Sequence, residues 1–218
     1  MIALIRRHLF YKEERKKLHS KEANMLQSFL EHKCLFFHIP KAGGISVSKT
    51  LFGSLEWGHK DVAYYQNVFG KKTFENLYKF TVVRNPFDRL LSGYNFLQKG
   101  GMNNMDKSFS EQYLKDYVSF EDFILNGLEN EPIKNWVHFR PQHSFITNKH
   151  NKLEVDFIAK LENIKDDFKV INAHFKRDVK LLHENKSEKT KQIYSTEMKK
   201  IIKSIYKRDF ELFYPELL

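Results

Sequence analysis

Two short stretches of this sequence gather residues suited to binding anions. The first is His38-Ile39-Pro40-Lys41-Ala42-Gly43-Gly44-Ile45-Ser46. Its glycines let the backbone turn tightly, so that successive amide hydrogens point inward at the start of a helix. Lys41 adds a full positive charge able to follow negative charge onto a leaving phosphate, and Ser46 adds a hydroxyl donor. The usual nucleotide loop, G-x-x-x-x-G-K-[ST], has its lysine after the glycines. Here Lys41 precedes them, so an ordinary ATPase loop is absent. Taken alone, the stretch also suits a plain strand-to-helix turn.

The second stretch is Arg84-Asn85-Pro86-Phe87-Asp88-Arg89-Leu90-Leu91-Ser92-Gly93-Tyr94. Asn85 suits a helix N-cap, and Pro86 suits the first helical position, where a missing amide hydrogen costs nothing. Arg84 lies on the approach and Ser92 on the second helical turn, so their donors can grip one phosphate at a helix start whose dipole favours an anion. The plainer alternative is a capped helix whose Arg89 pairs with Asp88 or with a surface acid.

Both stretches follow apolar runs. Cys34 to Ile39 and Phe80 to Val83 read as buried strands, and Val155 to Leu161 as a third. Apolar residues at helical spacing follow each turn, over Ile45 to Phe52 and from Phe87 through Leu97. Ser119 to Gly127, Asn163 to Phe175 and Thr196 to Phe210 read as further helices, and the Gly-, Asn- and Ser-containing segment 99–118 as a mobile excursion. Repeated strand-turn-helix units imply an α/β fold with a mainly parallel central sheet flanked by helices. In such sheets ligands bind beyond the carboxyl ends of the strands, where both turns fall. Residues 1–33 form a basic, helix-prone arm, and residues 34–218 the remaining domain.

With 218 residues, 41% of them hydrophobic and 15% aromatic, the chain has material for one substantial core. No stretch approaches the roughly 20 apolar residues of a spanning helix, and the N-terminal run lacks the pattern of a signal peptide. Cys34 is the sole cysteine, which excludes an internal disulfide and makes a cytoplasmic location the default. The formal charge of +10 points to anionic ligands: nucleotide, acidic glycan, nucleic acid or membrane surface. The basic arm is a candidate peripheral membrane contact. The lysines between Lys176 and Lys207 suit a solvated helix face.

Together, H-I-P-K-x-G-G-x-S followed by V-R-N-P-x-D-R-L-x-S-x-Y resembles the carbohydrate sulfotransferases of the heparan 2-O and chondroitin/dermatan 4-O type, which use 3′-phosphoadenosine-5′-phosphosulfate (PAPS). His138-Phe139-Arg140-Pro141-Gln142 and Asp156 to Asn163 look like that family's H-x-x-P-Q and D-F-I-x-x-E-x-L stretches, so the resemblance covers roughly Cys34 to Tyr214. It implies a P-loop-like sulfotransferase fold. It also implies that Lys41, Ala42, Gly43, Gly44, Ile45 and Ser46 hold the phosphosulfate, and that Arg84 and Ser92 hold the 3′-phosphate. Many relatives have threonine where Ala42 and Ile45 stand, which puts two hydroxyl contacts in doubt and leaves the backbone amides to bind the anion.

The resemblance implies transfer of a sulfuryl group from PAPS to a carbohydrate hydroxyl, with PAP (3′-phosphoadenosine-5′-phosphate) as product. In-line transfer relies on positioning and charge stabilisation, and no metal is chemically required. Lys41 is the candidate for stabilising the leaving oxygen. His59 is the candidate general base, standing between the two turns where this family places a histidine. Trp136, His138, Arg140 and His143 are weaker candidates for holding the acceptor, and His38 reads as a core residue. The ten histidines show no metal-ligand spacing. Two other classes remain open. A nucleotide-dependent small-molecule kinase would need magnesium ligands near the first turn. A non-catalytic module for RNA or another polyanion would bind through many lysines, although no specific nucleic-acid motif is present.

Overall fold

A computed structural model describes residues 2–20, 24–53, 58–176, 179–182 and 192–218. In chain order the elements are α1 (Ile2–Lys16), α2 (Met25–Glu31), β1 (Cys34–Phe37), α3 (Gly44–Phe52), α4 (Val62–Phe69), α5 (Lys71–Asn76), β2 (Tyr78–Val83), α6 (Pro86–Gln98), α7 (Asn104–Tyr113), α8 (Phe120–Asn126), α9 (Glu131–Lys134), α10 (His143–Ile146), β3 (Phe157–Lys160), α11 (Ile164–Phe175), α12 (Thr196–Ile205) and α13 (Lys207–Phe213). They divide into two compact units. One comprises Met1–Ile39, Gly43–Val82 and Phe145–Glu184; the other comprises Pro40–Ala42, Val83–Ser144 and Asn185–Leu218.

The first unit is built on a sheet of order β1-β2-β3. β1 and β2 run parallel, with Phe36 opposite Phe80 and Phe37 opposite Thr81. All four residues of β1 are fully buried, as expected of a strand covered on both faces. Register is reinforced where the Thr81 hydroxyl donates to the Phe37 carbonyl at 2.7 Å. Lys79 and Asp156 exchange two bonds that fix the approach to β3: the Lys79 amide donates to the Asp156 carboxylate, and the Asp156 amide to the Lys79 carbonyl, each at 2.7 Å. α2 packs on β1, and α11 on β3. α2 begins at an Asn24–Gln27 capping box. α1 is tied to α4 by the Tyr64 hydroxyl, which donates to Glu14, and by Arg15 Nε, which donates to the Asn67 carbonyl at 2.9 Å. Leu4, Ile5 and Leu9 of α1 stay exposed.

The second unit is helical around an aromatic core in which Phe123 lies 5.0 Å from Tyr94 and 5.2 Å from Phe139, ring centre to ring centre. α6 starts as the sequence predicts: Pro86 takes the first position, and the Asn85 side chain accepts from the Phe87 amide. Two expectations fail here. The segment 99–118 contains α7, capped by the Asn103 side chain and anchored by buried Asp106 and Phe109. Its polar composition hides an i, i+3 pair that faces inward. The helix expected over Thr196 to Phe210 is two helices broken at Tyr206, where the buried hydroxyl donates to the Phe139 carbonyl at 2.6 Å. Of the lysine-rich stretch from Lys176 to Lys207, residues 177–178 and 183–191 lie outside the described residues.

Candidate active site

The glycines of the first turn belong to the first unit. Gly43 caps α3 with φ of 81°, the left-handed region where glycine is unstrained. Gly44 is required for a different reason: a Cβ there would come within 2.1 Å of the His38 ring. The backbone at the α3 start thus lies close against side chains, the His38 ring at Gly44 and, at Gly43, Leu161, which a Cβ would approach to 2.5 Å. Ile45 and Ser46 follow on the first helical turn, where a helix N-terminus favours an anion. His38, buried, stands edge-on to His59 with ring centres 4.7 Å apart. Nδ1 of His59 is 2.9 Å from the His38 carbonyl oxygen. A carbonyl only accepts, so Nδ1 carries the hydrogen and Nε2 of neutral His59 holds the lone pair. That is the tautomer a general base needs.

Lys41, Ala42, Arg84 and Ser92 belong to the second unit. Arg84 Nη1 donates to the Lys41 carbonyl at 3.3 Å, so the leading residues of the two anion-binding stretches meet. Lys41 has φ of 65°, a conformation that costs a residue with a Cβ about 1–2 kcal/mol. Ala42 is fully buried. The Arg84 backbone is itself held. The Gln142 side chain accepts from the Arg84 amide at 2.9 Å and donates to the Arg84 carbonyl at 2.8 Å, as a neighbouring strand would. Ser92 lies part-buried on the second turn of α6.

The Lys41 ammonium sits 4.0 Å above the centre of the Phe96 ring. Burial, and secondarily the Arg84 charge, lower its pKa to about 8, while Asp106 pulls it up. His138 approaches Phe96 edge-on at 4.9 Å, with its Nε2 3.1 Å from the Asp106 carboxylate. The arrangement presents an amine whose charged form a nearby anion would stabilise, with the Arg84 guanidinium beside its carbonyl.

A helix start at Gly43 and Gly44 and a lysine–arginine pair at Lys41 and Arg84 are features suited to binding phosphoryl or sulfuryl groups. Comparison with protein families matches the Sulfotransferase family over residues 29–215. The chain belongs to that family. No curated protein matches, and neither does any solved structure. Membership makes the chain a transferase of sulfuryl groups.

The remaining candidates lie elsewhere in the second unit of this sulfotransferase. Trp136 stacks flat on Phe109 at 4.0 Å, which covers one face of the indole. His138 is buried against Asp106, as described above. His143 Nδ1 lies 2.7 Å from the Asp209 carboxylate, which also accepts from the Gln142 and His143 amides. Arg140 Nη2 donates to the Ser144 carbonyl at 3.4 Å. A cleft of about 420 Å³ opens beside Gln112, Tyr113, Asp116, Tyr117, Asn130 and Glu131. Sequence reasoning missed this cleft and the supporting roles of Gln142, Asp209 and Arg89. Gln142 and Arg89 stand inside the two quoted motifs, so the signal was present without a partner to explain it.

Arg89 does not take the plainer alternative: it is 1% exposed, and among the described residues its hydrogen bonds do not run to Asp88 or to a surface acid. Its Nε donates to the Pro40 carbonyl and its Nη1 to the Arg140 carbonyl, both at 3.0 Å.

Proposed function

We propose that this sulfotransferase moves a sulfuryl group from PAPS to a hydroxyl of a carbohydrate acceptor and releases PAP. The observation that carries the reading is the 3.3 Å contact between the Arg84 guanidinium and the Lys41 carbonyl. A donor with phosphate at both its 3′ and 5′ positions needs two anion sites within one nucleotide's reach, and this contact joins a residue of each. The amides of Gly43, Gly44, Ile45 and Ser46, together with Ala42, hold the 5′-phosphosulfate, and Arg84 and Ser92 hold the 3′-phosphate.

In the transfer, the acceptor oxygen forms a bond to sulfur as the bond from sulfur to the bridging oxygen breaks. The electron pair of that bond goes to PAP, where Lys41 meets the developing charge, and the hydroxyl proton goes to Nε2 of His59. Lysine and arginine charge suffices for this electrostatics, so a metal has no role in the reading. A carbohydrate acceptor is supported by the cleft lined by Tyr113, Asp116, Tyr117 and Asn130, residue types whose rings, carboxylate and amide suit a sugar and its hydroxyls. A cytoplasmic location accords with the single, buried Cys34.

Incubation with PAPS labelled in its sulfuryl group and a panel of oligosaccharides tests the proposal. Labelled sugar should appear, and Lys41→Ala should lower kcat by about 10²–10³-fold, the usual loss on removing a transition-state charge partner. Label transferred from ATP in the presence of magnesium, and none from PAPS, would overturn the reading in favour of a kinase.

A further inference from the structure

We infer that Arg89 is a positioning residue that, together with Arg84, sets the backbone conformation of Lys41. This rests on the role proposed for Lys41 as the partner of the leaving oxygen. The α-carbon of Lys41 joins two rigid peptide planes. The plane before it contains the Pro40 carbonyl, which accepts from Arg89 Nε at 3.0 Å. The plane after it contains the Lys41 carbonyl, which accepts from Arg84 Nη1 at 3.3 Å. The torsions φ and ψ of Lys41 are the rotations of those two planes about its α-carbon. Two arginines from one six-residue stretch therefore hold both planes.

The conformation they hold is one that lysine avoids. With φ at 65°, Lys41 lies in the left-handed region, disfavoured for any residue carrying a Cβ. Released from the clamp, it relaxes toward negative φ and carries its ammonium away from the ring of Phe96. Arg89 is built for the holding role. It is buried, and its hydrogen bonds run to neutral carbonyls, the second being that of Arg140 at 3.0 Å. Its Nη2 has no hydrogen-bond partner among the described residues. A cation kept from water is costly when no carboxylate among the described residues bonds its fork and only the field of buried Asp209 and Tyr206 favours its charge. The planar fork spans two carbonyls from separate segments, which a single ammonium does not.

Arg89→Lys keeps the charge and removes the fork. The clamp predicts hydrogen exchange at the amides of residues 41–44 faster by about tenfold or more, with the protein still folded. It also predicts a fall in kcat of about 100-fold, the loss expected for a misplacement near 1 Å. In a Lys41→Ala background the same substitution should change kcat by less than about twofold, because its effect runs through Lys41. Unchanged exchange at residues 41–44, or an equal loss of kcat in both backgrounds, would overturn the inference. Should Arg89→Lys fail to fold, ¹⁵N spectra of the native protein decide instead: the clamp requires a slowly exchanging Arg89 Nε–H, and rapid exchange with water refutes it. If the native enzyme neither binds PAP nor uses PAPS, the functional reading fails while the exchange data still judge the clamp.

Discussion

Lys41 is held in surroundings that resist its charge. Burial comes first among the causes and the neighbouring Arg84 second, and together they bring the ammonium to a pKa of about 8, below its ordinary value of 10.5. In the proposed function, an arriving 5′-phosphate reverses the balance and draws a proton onto the amine. Near pH 8 about half of the free protein carries Lys41 uncharged, so PAP binding should take up roughly half a proton there and almost none at pH 6. Calorimetry in buffers of different ionisation enthalpy reads that uptake directly, and Lys41→Met should abolish it. The same sign governs catalysis: kcat/KM should fall as pH rises through about 8, because the charged lysine is the useful form. For folding the direction is opposite. The charged form is penalised in the folded state, the penalty is complete below about pH 8, and it lifts as pH rises toward the unfolded value. Loss of PAP binding on raising the pH is therefore not a sign of unfolding.

At the scale of elements, the candidate active-site stretches are held by parts distant in sequence. Asp209 on α13 is fully buried and accepts from the amides of Gln142 and His143, capping α10 and seating the glutamine that grips the Arg84 backbone. Asp209→Ala leaves those donors without their acceptor, at a cost on the order of 3 kcal/mol, read as a fall in Tm of roughly 6–12 °C. PAP affinity should fall with it, since Arg84 loses its support. The sequence showed the strand-turn-helix units because apolar runs and turn residues are local signals. It did not show α7, because a lone buried pair, Asp106 and Phe109, leaves little periodicity in a polar segment. It also missed the break at Tyr206, whose cause is a hydroxyl bonded 67 positions away. Gln142 and Arg89 could be seen as motif letters, but their work is done on carbonyls and amides of other segments, which no local pattern encodes.

Across the whole molecule, a charge of +10 and membership of the Sulfotransferase family agree on an anionic donor. No helix among the described residues is long and apolar enough to cross a membrane. The proposal that ties these scales together is that two anion sites serve one nucleotide carrying phosphate at both ends. Titration calorimetry with PAP and with 5′-AMP, which lacks the 3′-phosphate, tests it most directly, on the native protein and on Arg84→Ala. The native protein should bind PAP about 100-fold more tightly than 5′-AMP, as a charge-assisted bond and its neighbours can supply. Arg84→Ala should bring the two affinities close together. Equal affinities in the native protein, or a preference for PAP that survives Arg84→Ala, would contradict the account.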